Sequence, residues 1–252
     1  MISQRLRPRW WGLWQTALLP ARRAVLRRRV GRLVTESVEG IDLVVLPDVF
    51  NPRVFGSSNC LVRAVRQAAP SAARVLELGT GSGAIAVTLA LQRPDLRVTA
   101  TDLSADALAV AAGNRDRLMG AAAGRLTLLQ GDWYAALPAE ARFDVVVSNP
   151  PYIAADDPHL RQPDLACEPR GALTDGHDGL DALRAIAAGA RRVLVPDGCL
   201  ACEHGWDQGA AVRALLTRAG LSGVRTLRDD EGRERVTFGC GRAPDAGADA
   251  EP

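Results

Sequence analysis

At 252 residues, and about 150 per domain, the chain holds one large α/β domain with an extension or two small domains. Its 47% hydrophobic and 24% charged residues exclude a disordered, collagenous or low-complexity chain, and no run approaches the ~20 apolar residues that cross a bilayer. A net charge of +2 gives no global pull toward nucleic acid; every basic residue is arginine, which reads as genome composition rather than chemistry.

The first 35 residues hold nine arginines, no acidic residue, and Trp10, Trp11 and Trp14. Gly12, Gln15 and Thr16 interrupt the apolar stretch that a secretory signal needs. Three readings stand: a helix packing its tryptophans on the main domain, a basic segment touching RNA, an acidic partner or a membrane surface, or a targeting sequence. Residues 32–46 read as a β-hairpin around Glu39-Gly40, 48–58 as a loop and 58–69 as a helix ending at Pro70.

Strand and helix then alternate: strand 74–78, helix 84–92, strand 97–101, helix 105–118, and strands 125–130 and 143–147. A long polar loop leads to helix 180–193, strand 199–203, helix 208–219, and closing strands 224–227 and 235–238 around a turn at 229–232. Such alternation predicts an α/β fold, mostly parallel, with a C-terminal antiparallel hairpin. The domains expected are a basic segment 1–35, a main domain 36–242 with its leading hairpin, and a disordered acidic tail 243–252.

Cys60, Cys167, Cys199, Cys202 and Cys240 form no visible disulfide framework, which favours a reducing, cytoplasmic setting. Cys199 and Cys202 have CxxC spacing, but period two points them to opposite faces of a strand and no second pair completes a zinc site. Two buried thiols and no metal are expected.

Glu77-Leu78-Gly79-Thr80-Gly81-Ser82-Gly83 follows a strand and opens a helix, where a nucleotide-like ligand docks in open α/β sheets. Its glycines admit close approach, and free N–H groups at the helix start are expected to attract negative charge; a P-loop lysine is missing. Asp102, ending the second strand, is placed to accept two ribose hydroxyls, while Ser104 is better placed as the helix cap. After the third strand, Asp132 is a candidate acceptor for an adenine amino group and Trp133 a cover for the ring; a surface turn with a packed Trp is the plainer alternative.

Ser148-Asn149-Pro150-Pro151-Tyr152-Ile153 follows the fourth strand. A nitrogen conjugated to a π-system is a poor nucleophile because its lone pair is delocalised. The Asn149 side-chain oxygen and the Pro150 carbonyl can accept both of its N–H bonds and localise that pair. Pro150 and Pro151 stiffen the loop, and Tyr152 is placed to stack on a planar acceptor group. No nucleophile motif accompanies His159, His177 or His204, so structural or solvent-facing roles are expected for each.

Through these residues the chain resembles the class I S-adenosylmethionine-dependent methyltransferases, and within them the bacterial peptide chain release factor glutamine N5-methyltransferases. The resemblance runs over residues 74–239. It includes Leu76 through Ala86, Gly131-Asp132-Trp133, the Asn149–Tyr152 loop, Glu168-Pro169, Asp178-Gly179-Leu180, Glu203 through Gly209, and 233–239. It implies a Rossmann-like seven-stranded sheet. It also implies S-adenosylmethionine held by Glu77, Gly79, Thr80, Gly81, Ser82, Gly83, Asp102, Asp132, Trp133 and Asn149. The target glutamine amide would lie against Asn149, Pro150, Pro151 and Tyr152, with Asn149, Pro150 and Tyr152 as the catalytic set.

Two departures bear on the substrate. That family usually begins with a sizeable helical domain, where this chain has its Arg/Trp-rich start. Its Pro-Arg-Pro-x-Thr-Glu stretch is replaced by Val49-Phe50-Asn51-Pro52-Arg53-Val54-Phe55, closer to shorter eukaryotic and archaeal relatives that work with a small activator protein. The function implied is N5-methylation of a glutamine in a release factor's Gly-Gly-Gln loop. The competing readings are N-methylation of a nucleic-acid base, which is not favoured, methylation of a small natural product, and a non-catalytic S-adenosylmethionine-binding module.

Overall fold

The computed structural model describes residues 34–46, 49–51, 58–162, 165 and 168–241. The reading of residues 1–35 falls almost wholly outside the described residues. So do most of the loop at 48–58 and all of the tail at 243–252.

A two-stranded antiparallel sheet comes first, β1 (Val34–Val38) and β2 (Ile41–Val45), the expected hairpin around Glu39-Gly40. Helix α1 (Ser58–Ala68) leads to β3 (Arg74–Leu78), α2 (Ala84–Gln92), β4 (Arg97–Asp102), α3 (Ala105–Met119), β5 (Leu126–Gln130) and β6 (Phe143–Ser148). Helix α4 (Asp181–Val193), β7 (Leu194–Glu203), α5 (Gly209–Arg218), β8 (Ser222–Arg228) and β9 (Glu234–Cys240) complete the chain. The sheet order is β5-β4-β3-β6-β7-β9-β8, with β3 to β7 parallel and β9 antiparallel to both its neighbours. This is the α/β seven-stranded arrangement expected.

Burial explains why these segments are strands. In β6, Val145 and Val147 enter one core and Val146 the other, as a period of two requires for a strand covered on both faces. Helix α2 is apolar except for Thr88 and Gln92, and every residue from Ala84 to Ala90 is buried because α1 and α3 flank it. Its C-terminal carbonyls are met by Arg125, whose Nη1 donates to Ala90 O at 2.7 Å. Asn114 of α3 clamps the leading hairpin: its Oδ1 accepts from Val44 N–H at 2.8 Å and its Nδ2 donates to Val44 O at 2.7 Å.

Two expectations need correction. Strand β7 begins at Leu194, not 199, because the Pro196-Asp197-Gly198 stretch is a bulge inside it: pairing jumps from Phe143↔Leu194 to Val145↔Cys199. Nor are the cysteines all free thiols. The antiparallel register sets Cys199 opposite Cys240, and the two form a disulfide, while Cys202 stays buried and free. Cys199 and Cys202 do not pair, in keeping with their opposite faces.

Candidate active site

The order of the strands places a crevice at the C-terminal ends of β3 and β4 on one side and β6 on the other, where the direction of winding reverses. A cavity of about 460 Å³ opens there, inside the roughly 300–1,000 Å³ range of small-molecule sites. Every residue predicted for the site borders it except Gly83 and Tyr152.

The glycine turn is held from inside the protein. Gly79 and Thr80 N–H both donate to Thr101 O, at 2.9 and 3.0 Å, and Gly81 N–H donates to Asp102 Oδ2 at 2.8 Å. These three amides are spent on β4, which makes the turn a stiff platform; the helix itself starts beyond them, at Ala84. Gly83 explains its own place. Its φ is +79°, and a Cβ there would meet Ala111 Cβ at 3.1 Å, so the glycine lets α2 pack directly on α3.

Glu77 is buried at the end of β3, and its Oε2 accepts from Thr80 Oγ1 at 2.6 Å and from Ala86 N–H at 2.9 Å. Burial pushes its carboxyl up to about 8, against the opposing pull of those two donors. Asp102 has each oxygen engaged once, Oδ2 by Gly81 and Oδ1 by Ser104 N–H at 2.9 Å. A carboxylate offers about four acceptor positions, so both oxygens keep room for a further donor. Ser104 takes the cap of α3, accepting from Ala107 N–H at 3.2 Å, as its place in the sequence suggested.

Trp133 forms a wall of the cavity from a left-handed backbone, φ +43°, a conformation an aromatic residue seldom adopts. Thr101 Oγ1 donates to its carbonyl at 3.1 Å, and its ring lies against Gly79. Asp132 beside it is exposed at the rim.

Asn149 is half-buried and borders both the main cavity and a small recess beside it. Among the described residues nothing hydrogen-bonds its side chain or the Pro150 carbonyl, which leaves both as acceptors at the cavity wall. Tyr152 borders the recess only; it is buried, and its hydroxyl points inward to donate to Glu203 Oε1 at 2.9 Å. Behind the loop, Gly179 passes so close that a Cβ would overlap the Tyr152 carbonyl. No histidine borders either cavity. His204 is buried with both ring nitrogens bonded, to Gly205 O and Thr237 Oγ1, and burial holds its pKa below the usual value. His159 and His177 lie exposed beside Asp157 and Asp181.

Sequence reasoning missed Leu103, an exposed leucine on the cavity rim, whereas Phe50, which borders both the cavity and the recess, comes from the 48–58 loop. The signal for Leu103 is an apolar side chain immediately after the strand-ending Asp102. Asn51, next to Phe50, joins two distant segments: its N–H donates to Glu168 Oε2 at 3.0 Å and its Nδ2 to Glu36 Oε1 at 3.2 Å. Burial pushes Glu168 up to about 7, offset in part by that N–H.

The model of the methyltransferase small domain matches residues 40–163. The chain is 60% identical over 169 residues to the release factor glutamine methyltransferase of Bordetella pertussis, covering 67% of this chain and 61% of that protein. It is 50% identical over 204 residues to the release factor glutamine methyltransferase of Burkholderia pseudomallei, covering 79% of this chain and 71% of that one. The chain thus spans about three fifths of the length of the Bordetella relative. Among solved structures, a methyltransferase from Pyrococcus furiosus superposes with a TM-score of 0.58 at 17% identity, over 90% of this chain and 100% of that one, which speaks for the fold alone. With half its residues identical over most of both proteins in the Burkholderia comparison, the chain belongs to the release factor glutamine methyltransferase family.

Proposed function

We propose that the protein is an S-adenosylmethionine-dependent methyltransferase acting on the side-chain amide of a glutamine in a peptide chain release factor, with residues 36–242 as the methyltransferase domain. The observation that carries this reading is the pair of unengaged acceptors, the Asn149 side chain and the Pro150 carbonyl, at a cavity that Asp102 and Trp133 also line.

The residues present suit the cofactor. The spare acceptor positions of Asp102 would take the two ribose hydroxyls, and Leu103 and Trp133 give apolar surface for the base. When bound, S-adenosylmethionine supplies an electrophilic methyl group on a sulfonium.

The chain's own contribution falls on the target nitrogen. Asn149 Oδ1 and the Pro150 carbonyl accept its two N–H bonds and draw the lone pair out of conjugation. Those hydrogen bonds strengthen as the nitrogen becomes tetrahedral, which is when they lower the barrier. A proton leaves to water after transfer, so no general base is needed, in keeping with a cavity that no histidine borders. Pro150 and Pro151 fix the acceptors before the substrate arrives.

A release factor loop would enter past Phe50 and Ala172, and the release factor works in the cytoplasm, where we place this enzyme. Among the described residues no helix is long and apolar enough to cross a membrane. A small activator protein remains compatible with the stretch 49–55. The test is incubation with methyl-labelled S-adenosylmethionine and cell lysate. Label in a protein of release-factor size supports the reading; label only in RNA or small molecules removes it.

A further inference from the structure

The last residue of the Asn149–Tyr152 loop is gripped from behind, by groups that border neither cavity. Glu203, fully buried at the end of β7, accepts the Tyr152 hydroxyl at 2.9 Å. Arg235 of β9, 5% exposed, faces that same hydroxyl. Its guanidinium also donates to His204 O at 3.3 Å and lies 3.6 Å from the Asp229 carboxylate. Gln208 holds the backbone: its Nε2 donates to Tyr152 O at 2.9 Å while its Oε1 accepts from Gly205 N–H at 2.8 Å. The next amide along, Ile153 N–H, donates to Leu173 O at 2.9 Å.

Stability alone does not account for this arrangement. A phenylalanine packed among apolar neighbours would fill the space of Tyr152 without desolvating a carboxylate and a guanidinium, and buried ion pairs seldom repay that cost. What a buried polar contact of this kind does supply is a preferred position, since moving Tyr152 takes its hydroxyl from a desolvated carboxylate oxygen that no water can reach. Methyl transfer requires that, because acceptors displaced by about an ångström lose the developing tetrahedral nitrogen.

We infer that Glu203, Arg235 and Gln208 are positioning residues for methyl transfer, fixing Tyr152 so that Asn149 and Pro150 present their acceptors at one place. The inference rests on the amide-methylation reading of the site. It assigns a task to the Glu203–Gly209 segment beyond linking β7 to α5.

Two readouts on the full chain test it, in Glu203→Gln, Tyr152→Phe and the double variant. In steady-state kinetics on release factor, kcat should fall ~10- to 100-fold while the affinity for S-adenosylmethionine stays within about threefold of wild type. The double variant should lose no more than the worse single one, because both break one contact. In hydrogen exchange without substrate, the Ile153 amide should exchange faster while the amides of β3 keep their wild-type protection. A merely structural role would instead lower cofactor affinity, β3 protection and kcat together, and that result overturns the inference. So do wild-type kcat and unchanged Ile153 exchange in folded variants. Should Glu203→Gln fail to fold, Gln208→Ala, a half-buried site, carries the same comparison. If wild-type protein methylates no release factor, the functional reading falls, and exchange at Ile153 still decides whether the loop is held as described.

Discussion

The Asp102 carboxylate holds the Gly81 amide at 2.8 Å, so the residue placed to bind a ribose also locks the glycine turn that faces it. Two consequences of one substitution follow. Asp102→Ala removes an acceptor for two ligand hydroxyls and frees the turn at once. Each charge-assisted hydrogen bond is worth ~1.5–3 kcal/mol before solvent compensates. Calorimetry should show S-adenosylmethionine affinity falling by at least ~30-fold, with only a small loss of thermal stability. Unchanged affinity in a folded variant would remove Asp102 from the site.

Two glycines of that turn should respond differently to alanine. Gly81 has φ +56° and open space around it, so Gly81→Ala carries only the backbone cost, about 1–2 kcal/mol. Gly83→Ala adds a collision with Ala111 at 3.1–3.2 Å, on backbone that cannot retreat without separating α2 from α3. Denaturant unfolding should therefore show a larger loss for Gly83→Ala, by ~1–3 kcal/mol. Equal losses would mean the helix pair is looser than described.

The pH dependence of stability has a definite sign. In the folded, ligand-free chain Glu77 holds its proton up to about 8, whereas an ordinary unfolded carboxyl loses it near 4.5. The folded state therefore binds the extra proton between those values. The stability contributed is complete below about 4.5 and lost as pH rises through about 8. Glu168, at about 7, adds to the same slope. Glu77→Gln, which stays neutral, should flatten the slope and gain on wild type by about 1 kcal/mol or more at the alkaline end. Parallel curves for the two proteins would contradict a protonated Glu77.

The Cys199–Cys240 link closes a loop of sequence separation 41. In the chain-entropy account that constrains the unfolded state by about 4 kcal/mol. Cys240→Ala should cost roughly 2–4 kcal/mol against oxidised wild type and far less against wild type kept in reductant. Equal costs under both conditions would show that the bond does not form in solution.

Local pattern revealed much of this molecule. Alternating strands and helices gave the parallel sheet, and the residues ending β3, β4 and β6 pointed to one crevice because connections in such a fold bring those ends together. What escaped was set by register and by chain crossings. The Cys199–Cys240 pairing depends on how β9 slides along β7, which neither segment encodes alone. The anchoring of the Tyr152 hydroxyl on Glu203, 51 residues away, cannot be read from the Asn149–Tyr152 loop alone. Phe50 and the Asn51 bridge between Glu36 and Glu168 likewise join segments far apart in sequence. The acceptors of the glycine-turn amides, Thr101 O and Asp102 Oδ2, lie on the neighbouring strand and were likewise out of reach of local pattern.

The central claim is that Asn149 and Pro150 activate a glutamine amide. Its most direct test is tandem mass spectrometry of the release factor's Gly-Gly-Gln peptide after incubation with S-adenosylmethionine and either wild-type protein or Asn149→Ala. The account predicts a mass increase of one methyl group located on the glutamine side chain with wild type. With the variant it predicts a rate lower by orders of magnitude, on the order of a hundredfold or more, at near-normal cofactor affinity. An unmodified peptide with folded, cofactor-binding wild-type protein, or an equal rate from Asn149→Ala, would contradict it.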